Sequence, residues 1–192
     1  MKKTAIRKLT CMHTSYVNLK KRRLVLLGLA FLVLLIFSYF TNTVFFKTLN
    51  VLFQNPPLAF LMIFIHNVIV VSLVLLGMTF YVDLVVWGFF KREKYAYIVI
   101  DHPKTFAILF AFIVLFLSIL RGTNFFLGGI ILEALPLILL VSAPIGIIEG
   151  YGLYLTIRKT LSRTITLKDL VHIFGIFLIA AMIEIGLINL LM

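Results

Sequence analysis

Apolar residues in this chain fall in long unbroken runs, without the two-residue alternation of a half-buried strand, so the pattern describes helices apolar on every side. The runs lie at about 24–40, 58–82, 105–120, 125–157 and 170–191, parted by short polar stretches. A hydrocarbon core about 30 Å thick takes ~20 such residues per helix. The runs therefore predict an all-α integral membrane protein with five transmembrane helices. Local signals agree on where helices begin. Asp101-His102-Pro103 reads as a helix start with proline in the first turn, and Thr166-Leu167-Lys168-Asp169 resembles a capping box opening the last run.

The fourth run is too long for one simple crossing. Phe125 to Ile157 as a continuous helix would reach ~50 Å at 1.5 Å per residue, and Pro136 and Pro144 each interrupt helical hydrogen bonding. It is either two spans, or one span preceded by a re-entrant or interfacial piece. Loop charges separate these. With one crossing, sixteen Lys and Arg residues fall on one side and two, Lys47 and Arg121, on the other; with two crossings the division is twelve to six. Cytoplasmic segments are rich in Lys and Arg, so one crossing fits better. The fourth span is expected to be broken, or preceded by an outer piece, at Pro136/Pro144, with Glu133 in the outer part. The N-terminus is then cytoplasmic and the C-terminus extracytoplasmic, in a cell membrane.

Residues 1–23 carry eight basic side chains and no acid, a cytoplasmic segment ahead of a single helical membrane domain over 24–192. The apolar run from Leu24 to Phe40 is too long for a cleaved leader and has no small-x-small site after it, so it is expected to stay as an anchor. Apolar residues make up 62% of the 192 and charged ones 13%, which excludes an ordinary soluble domain. A net charge of +11 in a soluble chain would suggest nucleic acid. Here the basic residues stand between apolar runs, without interleaved aromatics, so the expected partner is the lipid bilayer, with anionic lipid at the N-terminal segment as a further role. No nucleic acid is expected. Cys11, the only cysteine, cannot form an internal disulfide and reads as a reduced cytoplasmic thiol, palmitoylation being the alternative.

Ionisable groups inside spans cost ~2.5–3.5 kcal/mol at a helix centre, so those present draw attention. His66 and Asn67 lie in the second run, Glu149 in the fourth and Glu184 in the fifth. Helical rise puts Glu149 ~13 Å and Glu184 ~20 Å from the inner face, and His66 ~13 Å from the outer face. At such depths the four could meet, either as a hydrogen-bonded knot that fixes helix packing or as a proton or ion site. Ser142, Gly146 and Gly150 recur every four residues and form a ridge of small residues on which another helix can approach closely. Ala180 and Ala181 make a flat patch before Glu184. There is no Gly-x-Ser-x-Gly, His-Glu-x-x-His or Gly-rich phosphate loop, so neither an enzyme nor a cofactor or metal is expected.

Three phrases resemble the stage II sporulation protein M family, small membrane proteins of endospore formers and of other bacteria and archaea. They are Phe64-Ile65-His66-Asn67-Val68 with Gly77 beyond it, Pro144-Ile145-Gly146-Ile147-Ile148-Glu149-Gly150, and Ile179-Ala180-Ala181-Met182-Ile183-Glu184. The resemblance covers about residues 57–192 and is that of a divergent member, with Ile145 where the family often has histidine. It implies a nonenzymatic scaffold or accessory subunit acting with a membrane-protein partner or as a homo-oligomer. The alternative carried by His66, Glu149 and Glu184 is a small proton-coupled or ion-conducting transporter.

Overall fold

The computed structural model describes residues 21–41, 43–44, 55–87, 98–127 and 135–191, and within these no side chains of 117–127, 135–142 or 187–191. The basic segment before Lys21, Cys11, Lys47 and Glu133 lie outside the described residues. What is described is helical, with no strand: α1 (Lys21–Thr41), α2 (Pro56–Trp87), the single turn α3 (Ile98–Asp101), α4 (Pro103–Leu127), α5 (Leu135–Leu161) and α6 (Leu167–Leu191). Three of these, α1, α2 and residues Leu167–Gly186 of α6, are long and apolar enough to cross a membrane. A chain with such helices is a membrane protein in its composition and build.

Helix ends follow local chemistry. Helix α4 opens on Pro103, whose missing N–H is one of the unsatisfied donors of a first turn in any case. Helix α6 opens on a reciprocal cap: the Thr166 amide and hydroxyl donate to Asp169 Oδ2 at 2.9 and 2.8 Å, and the Asp169 amide returns a bond to Thr166 Oγ1 at 3.3 Å. Helix α5 ends when the Arg163 and Thr164 amides bond back to the Thr160 and Lys159 carbonyls, both at 3.0 Å. That closure needs a left-handed residue, and Arg163 takes it at φ 54°. Glycine is the usual choice there, since a side chain costs roughly 1–2 kcal/mol.

Two boundaries differ from those read in the sequence. Helix α4 continues through Arg121-Gly122-Thr123-Asn124 to Leu127, because a single glycine costs a helix only about 1 kcal/mol. Helix α5 is not broken at Pro144: it runs unbroken from Leu135 to Leu161. Pro144 removes a single bond, to the Leu140 carbonyl, whereas a break would free several backbone groups at once. Pro136 sits in the first turn and removes none. The piece expected around Glu133 is outside the described residues.

Helix α5 packs against α4, α6 and α2, and α2 also packs against α6. Two apolar layers form the core. One gathers Val71 of α2, Ala111 of α4, Leu153 of α5 and Ile173 and Phe177 of α6. The second joins Val82, Ala107, Ile157 and Leu161. These contacts set the end of α2 and the end of α5 beside the start of α4. Ion pairs extend that end. Asp83, late in α2, meets Arg23 at the start of α1 at 3.2 Å and Arg163 at 3.5 Å, while Lys159 meets Asp169 at the start of α6 at 3.4 Å. The long helices therefore alternate in direction, and one end of the bundle is charged. Helix α1 lies outside the core, on α2, with Phe31 stacked against Phe80 at 6.5 Å between centroids.

Candidate functional site

Above the first apolar layer, away from the charged end, sits the polar layer. One turn from Val71 on α2 is Asn67, and one turn from Leu153 on α5 is Glu149. Asn67 Nδ2 donates to Glu149 Oε1 at 3.1 Å, a bond between residues 82 positions apart that ties α2 to α5. Asn67 is buried and Glu149 half-buried. On α6, half-buried Glu184 lies within electrostatic range of Glu149. Counting rise from Leu161, Asp83 and Leu167 places Glu149, Asn67 and Glu184 roughly 18, 24 and 25 Å from the charged end. Three helices thus bring polar groups to one level, deep within the apolar length.

His66 goes elsewhere. One residue from Asn67 is a rotation of about 100° on a helix, and His66 lines a groove of about 260 Å³ between α1 and α2 with Phe40, Thr41, Val44, Met62, Ile65 and Ile69. The structure thus gathers Asn67, Glu149 and Glu184 and sets His66 on the α1 side of α2. Among the described residues no three His, Cys, Asp or Glu side chains are grouped to hold a metal ion, and no buried side-chain polar atom lacks a hydrogen-bond partner.

The ridge of small residues faces inside the chain. A Cβ at Gly150 would stand 2.6 Å from Leu115 Cδ1, and one at Gly146 3.9 Å from Leu115 Cδ2, so the helix that approaches this ridge is α4. The side chain of Ser142 is not described. Ala180 and Ala181 are fully buried on α6. A closer approach escaped the sequence reading: a Cβ at Gly152 would meet Phe177 Cε2 at 2.5 Å, where α6 presses its ring on the α5 backbone. Gly152 is off the four-residue spacing of the ridge and serves another face.

Further along α5, buried Thr156 and Thr160 donate to the Gly152 and Thr156 carbonyls at 2.8 and 2.6 Å. Their hydroxyls are satisfied within the helix, as an apolar setting requires. The chemistry available is therefore that of one amide–carboxyl bond with a second carboxyl nearby. Such a set can fix helix packing, and it can also bind a proton or a cation. No protein-family model, curated protein or solved structure matches the chain.

Proposed function

We propose that the chain is a nonenzymatic polytopic protein of the cell membrane, a scaffold or accessory subunit of the stage II sporulation protein M type. It crosses the membrane five times, along α1, α2, α4, α5 and α6, with the N-terminus in the cytoplasm and the C-terminus outside. The observation that carries the reading is the Asn67–Glu149 bond. It uses the polar groups of two helices on each other and holds α2 and α5 in fixed register, which is what a supporting body needs. The alternation of helix directions favours five crossings, and the gathering of Arg23, Arg158, Lys159 and Arg163 at one end favours that end as cytoplasmic. With the small-residue ridge of α5 occupied by α4, a partner or second copy meets the outward faces, of which α1 offers the largest. Affinity purification from native membranes in a mild detergent tests this. A partner or second copy in fixed ratio is expected; a monomer with none, at native expression, overturns it.

A second reading, a small proton-coupled or ion-conducting transporter, is favoured by one observation, the nearness of Glu184 to Glu149. Two carboxyls at one level in an apolar body repel when both are charged, and a shared proton or cation relieves that. Flux into liposomes decides. A flux abolished by Glu149→Gln and by Glu184→Gln supports transport, and no flux of protons or cations removes it.

A further inference from the structure

We propose that Arg23 and Arg163, set on either side of the Asp83 carboxylate, form a seat for the phosphate of an anionic phospholipid headgroup. The two guanidinium groups come from distant parts of the chain, the first turn of α1 and the turn between α5 and α6, and meet different oxygens of one carboxylate at 3.2 and 3.5 Å. Asp83 supplies one negative charge for two positive ones, so the trio keeps a charge of +1, and exposed Lys21 and Arg22 stand directly before Arg23. Each guanidinium has five N–H donors in a planar fork that matches phosphate oxygens. Among the described residues neither arginine side chain makes a bond other than that to Asp83, and both remain open, at 67% and 52% exposure.

The seat is at the depth where phosphates lie. Arg23 directly precedes the apolar length of α1, and Asp83 is one turn from Trp87, a residue type that settles at the headgroup level. Arg163 adds an independent observation: its left-handed backbone at φ 54° suits glycine better, yet the position carries the side chain that reaches Asp83. A turn serving only to reverse the chain gains nothing from that arginine. The occupant is taken to be a lipid, and a net-negative one, because the anionic lipids of the cytoplasmic leaflet face this end in the proposed topology. A phosphate bridging the two arginines would strap α1, otherwise held on one face, to the turn after α5.

The inference rests on the proposed function only for the leaflet that supplies the lipid. Detergent-solubilised full-length protein presents both ends, so titration with phosphatidylglycerol and phosphatidylcholine, followed by native mass spectrometry, tests the seat by itself. Phosphatidylglycerol should bind at least about fivefold more tightly, the effect of one basic residue at a charged headgroup surface. Arg163→Gly suits the turn, so thermal stability should hold or rise while phosphatidylglycerol affinity falls about fivefold. Lys104→Gln, at the same end on α4, should change it less than about twofold. Equal affinity for the two lipids overturns the seat, as does unchanged affinity in Arg163→Gly or an equal loss in Lys104→Gln. Inorganic phosphate binding as tightly as the lipid overturns the lipid as occupant. Labelling a cysteine placed at Ser162, with Cys11→Ser removing the native thiol, reports the side of the membrane separately in whole cells, so a failed topology and a failed seat are told apart.

Discussion

Helix α1 turns almost its whole surface outward: 6% of its apolar window is buried, and Val25, Leu29, Phe37 and Tyr39 are each more than half exposed. Helix α5 touches α2, α4 and α6, and its buried residues include Leu153, Thr156, Ile157, Thr160 and Leu161. The difference does not follow apolar content, which is greater in α1. In a bilayer, apolar surface gains little by leaving lipid for another helix, so association depends on close approach and on polar bonds. Helix α5 has both, through Gly150 on Leu115, Gly152 on Phe177 and Glu149 bonded to Asn67. Helix α1 has the contact of Gly28 with Phe80, the reciprocal one of Phe31 with Gly77, and one exposed ion pair.

The largest expected effect comes from filling the tight contacts. Gly152→Leu forces side-chain atoms into the Phe177 ring, itself 2% exposed and enclosed by three other helices. Overpacking of this kind costs about 1–3 kcal/mol, read as a lower unfolding midpoint in detergent. The same change at Gly28, where a Cβ would stand 3.1 Å from Phe80, is relieved by α1 moving outward, at a cost under about 1 kcal/mol. Equal losses would erase the distinction between the helices.

Phe31→Ala removes the ring stacked on Phe80 and seated against Gly77. A loss of about 0.5–1.5 kcal/mol is expected for the pair, confined to α1. Cross-linking between cysteines at 23 and 83, which leaves the Phe31–Phe80 contact untouched, should fall while unfolding of the other helices keeps its midpoint. A shift of the whole transition would show α1 to be part of the core. The smallest effect is that of Arg23→Gln, which breaks an ion pair whose arginine is 67% exposed. About 0.2–1 kcal/mol is expected at low salt, and none at high salt; a loss that persists at high salt would mean that the pair is shielded from solvent.

Much of this was legible in the amino-acid pattern, for reasons that particular residues make plain. Apolar runs disclose helices because lipid leaves the backbone no other way to bond, and Thr166 with Asp169 discloses a helix start because the cap is local in sequence. Glu149 and Glu184 stand out as charges in apolar surroundings. Partner choice was less legible: His66 and Asn67 are neighbours in sequence, and only the rotation of α2 sends one to α1 and the other to α5. Pro144 was misleading as a break, since its cost in one hydrogen bond is smaller than that of ending a helix and freeing several backbone groups. The double pairing of Asp83 could not be read from spacing, because Arg23 and Arg163 reach it from opposite ends of the chain. A lone acid late in α2, facing an excess of basic residues, was the available signal.

The claim that the interior polar groups serve one another is tested most directly by a double-mutant cycle on Asn67→Ala and Glu149→Ala, using reversible unfolding in mixed micelles. A coupling of about 0.6 kcal/mol, rising to about 1.7 if the bond is well shielded, is expected from hydrogen bonds between membrane helices. Strictly additive losses, with no coupling between the two positions, would contradict it.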